Sequence, residues 1–120
     1  MSIVHKPIEV YIDNEDSDDG FYNLGFVMNR EVGVLPHHVG LCRDFIEEPD
    51  YVYIEADDQI YGFLTNQISY EIKGTLLTIT LLDEHVFYWN KEKTFTVEFD
   101  IINSKEIKHC LEVMCNFESI

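Results

Sequence analysis

A chain of 120 residues, 46% apolar and 26% charged, is long enough to bury the core of one domain and too apolar to be disordered. Its 23 acidic residues against 8 basic ones leave a net charge of −15, which excludes nucleic acid and anionic membrane as partners because phosphate recognition needs basic groups. Such a field attracts a basic protein and accelerates the encounter by ~10–10³-fold at low salt; high solubility, or life in salt, is the plainer reason to carry it.

The opening MSIVHKPIEVYIDNEDSDDG has no basic leader followed by an apolar run, so no signal peptide is expected. No apolar stretch reaches the roughly 20 residues of a membrane span. Cys42, Cys110 and Cys115 are odd in number and set among apolar residues. Together these features point to a cytoplasmic protein with free, mostly buried thiols.

Ile8, Val10 and Ile12 alternate with Glu9, Tyr11 and Asp13, which predicts a first strand. The acidic run Asp13 to Asp19 ends in Asp-Gly and leads into FYNLGFVM, so the two strands form a hairpin around a long charged loop. Tyr22, Leu24, Phe26 and Met28 then share one face. Residues 29 to 43 contain Gly33, Pro36 and Gly40 without a firm period and read as loop. A single helical turn at Arg43 to Glu48 is separated by Pro49 from the strand YVYIEA.

ISYEIKGTLLTITLL predicts a hairpin about a tight Lys73-Gly74 turn. Asp83 is placed to cap a short helical segment, EHVFYW. Phe95, Val97, Phe99 and Ile101 mark another strand buried on one face. Asn103 and Glu106 have capping-box spacing, and Ile107, Cys110, Leu111, Met114 and Cys115 form one apolar stripe at helical spacing. A one-sided sheet and a one-striped helix cover each other. The expected fold is α+β, a single domain over residues 1–120: a mainly antiparallel β-sheet with a C-terminal amphipathic helix packed on one face.

Signatures of chemistry are weak. DNEDSDDG resembles a calcium loop, but with Gly20 in the sixth position the twelfth is Phe26, which cannot ligate. Neighbouring His37 and His38 lie near Cys42 and Asp44 without zinc-ligand spacing. A Cys42 pairing with His37 or His85 is open, since such partners meet in space, yet no nucleophile elbow, P-loop or dinucleotide fingerprint is present. The expectation is no enzyme, no metal and no cofactor.

The stretch DFIEEPDYVYIEADDQIYGF draws the eye instead. Alternation buries Val52, Ile54 and Ala56 and turns Tyr51, Tyr53 and Glu55 outward. Asp44, Glu47, Glu48 and Asp50 precede them, and Asp57 and Asp58 follow. Tyrosines ringed by charge are the composition of a protein-binding surface, so these nine residues are the expected contact set.

YVYIEADDQIYGF, ISYEIKGTLLTITLLDEHVFYW and FTVEFDI ahead of the closing helix resemble the bacterial immunity protein 10 family. The shared elements are Asp57-Asp58-Gln59, the L-x-D-E turn from Leu81 to Glu84, and the F-x-V-x-F strand from Phe95 to Phe99. The resemblance covers roughly the C-terminal 70 residues. It implies a small intracellular antidote that binds a cognate polymorphic toxin. A nuclease or other nucleic-acid-acting toxin is the expected target, since such toxins are basic. The alternatives are a DNA-mimic inhibitor of many nucleic-acid proteins and, further off, a metal-dependent enzyme centred on His37, His38 and Cys42.

Overall fold

Residues 4–13, 21–34 and 36–117 are described by the structure, a computed structural model. Residues 14–20, the rest of DNEDSDDG after Asp13, and with them the calcium reading, lie outside the described residues. The strands are β1 (Val4–His5), β2 (Glu9–Asp13), β3 (Phe21–Val27), β4 (His38–Asp44), β5 (Val52–Ala56), β6 (Asp58–Thr65), β7 (Ile68–Lys73), β8 (Leu76–Leu81) and β9 (Thr94–Glu98). A 3₁₀ turn at Ile101–Asn103 leads into helix α1 (Ser104–Met114). The α+β class holds, with two sheets rather than one. β2-β3-β4-β5-β6 form a five-stranded antiparallel sheet, and β1-β9-β8-β7 a four-stranded one in which only β1 and β9 run parallel.

Period-2 patterning explains both sheets. Leu24, Phe26, Val39, Leu41, Val52 and Ile54 point inward from the large sheet; Leu77, Ile79, Leu81, Phe95 and Val97 answer from the small one. Ile107, Cys110, Leu111 and Met114 of α1 complete a single core, with the helix against β3 and β2. No helix among the described residues is long and apolar enough to cross a membrane. Cys42, Cys110 and Cys115 are free thiols. Burial pushes Cys110 up to about 11 and Cys115 up to about 12, so neither is a ready nucleophile.

Several local expectations change. Residues 38–44 are not loop but the centre strand β4; its alternation is Val39, Leu41, Arg43, and the buried arginine breaks the apolar pattern. The helical turn survives only as Asp44 to Glu48, closed by a 2.9 Å bond from the Glu48 amide to the Asp44 carbonyl. Lys73 pairs with Leu76, so the β7–β8 turn is Gly74-Thr75, with Gly74 at φ +62°. Asn103 makes no side-chain cap. Asp100 takes that role one turn earlier, accepting from the Ile102 amide at 3.1 Å.

EHVFYW is not helical either. Asp83 does cap, but it folds an Asx turn, accepting from the His85 amide at 3.0 Å and from the Thr65 hydroxyl at 2.6 Å. The aromatic rings that follow press back on the strands. Phe87 enters the core, His85 stacks on Phe63 at 4.2 Å, and Tyr88 stacks on Tyr61 at 3.8 Å.

Candidate functional site

Both the small sheet and α1 pack on the inner face of the large sheet, leaving its outer face free of either. Strand register sets what that face displays. Tyr11, Gly25, Gly40 and Glu55 form one row across β2 to β5. Asp13, Asn23, Cys42 and Tyr53 form the next, and Phe21 and Asp44 pair beyond it. With two glycines side by side in the central strands, the middle of the face is sunken. The result is a groove of about 310 Å³ lined by Tyr11, Phe21, Asn23, Cys42, Tyr53 and Glu55, with His38 at its upper end. A continuation of about 400 Å³ runs past Val27 to Asn29 and Arg30.

Carboxylates dominate its charge. Glu55 is the carboxylate of its lining, and Asp44, paired with Phe21 at the lower edge, lies near enough for its charge to act on Cys42. Burial, then the charges of Asp44 and Glu55, push the Cys42 thiol up. Arg30 at the far end is committed to Glu9 at 2.7 Å, and Glu9 also accepts from the Tyr11 hydroxyl. Tyr53 does not stand upright. Its ring lies across Gly62, where a Cβ would sit 2.0 Å from the hydroxyl oxygen, and that hydroxyl donates to Glu55 at 2.8 Å. The bond to Glu55 is the chief reason the Tyr53 phenol is pushed up to about 12.

The nine expected contact residues fall into three groups. Asp44, Glu47, Glu48, Asp50 and Tyr51 gather at the β4–β5 turn, with Tyr51 exposed and the Asp44 carboxylate capping the Ile46 and Glu47 amides. Tyr53 and Glu55 lie on the groove wall. Asp57 and Asp58 sit at the opposite end of β5. Asp58 is exposed there, whereas Asp57 is committed internally. Held at φ +64°, it accepts the His37 and His38 amides at 2.8 and 2.9 Å on one oxygen and the Tyr88 hydroxyl on the other. Sequence reasoning missed Tyr11, Gly25 and Gly40. The signal was a glycine at an outward position in both LGF and VGL, legible only once β4 is known to be a strand.

Metal chemistry at His37, His38 and Cys42 finds no constellation: among the described residues the group that gathers three ligand atoms within 4.8 Å is Asp83, Glu84 and His85. There Asp83 already serves Thr65, the His85 amide and the His85 ring. Compared with family models, curated proteins and solved structures, the chain matches none.

Proposed function

We propose that this protein binds and neutralises a basic toxin domain, using the outer face of the five-stranded sheet and the acidic β4–β5 turn beside it. The observation that carries the reading is that face: rings at Tyr11 and Tyr53, carboxylates at Glu55 and, at the edge, Asp44, and neither α1 nor the second sheet over it. With a net charge of −15, long-range attraction steers a cationic protein toward it. A toxin that cuts or modifies nucleic acid carries such a cationic cleft by necessity. The resemblance to immunity protein 10 supports the same role, an antidote acting in the cytoplasm of the producing cell.

The test begins with the gene beside this one. If its product ends in a small toxic domain, that domain purified with this chain should form a stable complex and lose its toxicity. Binding to many unrelated basic nucleases instead of this one would favour a DNA mimic. No binding to the neighbouring product, or to any nuclease tested, would end the reading.

A further inference from the structure

Two facing glycines in adjacent central strands need a reason. A glycine inside a strand gives up packing and weakens the strand relative to alanine. Strain does not explain Gly25 and Gly40, because neither has a positive φ. Crowding does not explain them either. A Cβ on Gly25 would touch Tyr11 at 3.8 Å and one on Gly40 the Leu24 carbonyl at 3.9 Å, both ordinary contacts. Gly62 is the contrast, since the Tyr53 ring occupies the very space its side chain would need. What Gly25 and Gly40 provide is the floor of the groove.

We infer that this groove seats an arginine side chain presented by the partner, its guanidinium against Glu55 and its stem along the Tyr11 and Tyr53 rings. Three features select that occupant. Volume comes first: the part of the groove beside Glu55, about 310 Å³, has room for one long side chain. Charge comes second. Glu55 meets no cation among the described residues, Asp44 at the edge adds the same sign, and Arg30 is held away by Glu9. Shape comes third. A planar guanidinium lies flat on an aromatic ring while pairing with a carboxylate through two donors, whereas a compact, strongly hydrated ammonium does neither as well. The inference rests on the toxin-binding reading for the source of the arginine, but the groove can be probed without the toxin.

The probes are acetyl-Gly-Arg-Gly-amide and its citrulline and lysine counterparts, titrated at matched ionic strength into the full ¹⁵N-labelled chain. The arginine peptide should shift the Gly25, Gly40 and Cys42 amides saturably, with citrulline about tenfold weaker through loss of the charge-assisted pair, and lysine weaker than arginine. Gly40→Val should fill the floor and abolish the shifts, with inner-face amides such as Leu41 reporting an intact fold. Glu55→Gln, which adds no bulk, should weaken binding about tenfold and stands in if Gly40→Val does not fold. Equal effects of arginine and citrulline, shifts confined to Glu47–Asp50, or full binding by Glu55→Gln would overturn the inference. Toxin bound without any peptide effect would refute the groove alone. Peptide seated without toxin binding would refute the toxin reading alone.

Discussion

Asp57 and Asp83 show how differently the same residue type serves in this chain. The sequence marks Asp57 as a surface contact and Asp83 as a cap for a short helix; in the fold each braces the segment after β8. Asp57 holds Tyr88 and the start of β4, while Asp83 holds Thr65 and His85. Asp57→Ala should cost about 3 kcal/mol in urea unfolding, through three unpartnered donors and an alanine at φ +64°. Asp57→Asn should lose less, because asparagine tolerates that backbone and still accepts hydrogen bonds. For Asp83, burial raises the carboxyl, but the bonds from Thr65 and His85 outweigh it and hold it below its ordinary value of 3.8. Its contribution to stability is therefore complete above that value and drains as pH falls through the lower, folded one. The stability gap between wild type and Asp83→Asn should be open at pH 7 and narrow toward pH 2; a constant gap would contradict this. Sequence alone exposes the aspartates but not these roles, since every partner except His85 lies between 18 and 31 residues away.

At the scale of elements, Arg43 joins β4 to the end of α1. Its guanidinium donates to the carbonyls of Met114 and Asn116, both at 2.9 Å, and of Pro49 at 2.5 Å. The Phe45 and Phe117 rings close over it at 4.4 and 4.2 Å. A cation at a helix C-terminus complements the helix dipole, and burial pulls this one below its ordinary pKa. Arg43→Ala should destabilise the fold by about 3 kcal/mol and speed hydrogen exchange in the last turn of α1. Arg43→Lys should restore under half of that, because an ammonium cannot span three acceptors between two rings. Unaltered exchange in α1 would show that the stripe of Ile107, Cys110, Leu111 and Met114 suffices alone. That stripe and the alternating strands were legible because burial on one face writes a period into the sequence. β4 was not, with a buried arginine and a glycine among its seven residues. The division into two sheets was not either, because strand pairing is a long-range choice that no local period records.

For the molecule as a whole, charge and architecture act together. The core unites two sheets and one helix on a single side of β2 to β6, so the proposed function assigns binding to the opposite side and to the β4–β5 turn. On the proposed function, the excess of 15 negative charges would govern how fast a cationic protein arrives, and the groove residues how long it stays. Neutralising Glu47, Glu48 and Asp50 together, all exposed, should lower the association rate several-fold at low salt and leave dissociation nearly unchanged. Glu55→Gln should act mainly on dissociation. The most direct test is the kinetics of complex formation with the proposed toxin domain across a salt series, for wild type, the triple variant and Glu55→Gln. The account predicts an association rate that falls steeply with salt, less steeply in the triple variant, and faster release in Glu55→Gln. Association indifferent to salt, with all three proteins behaving alike, would contradict it.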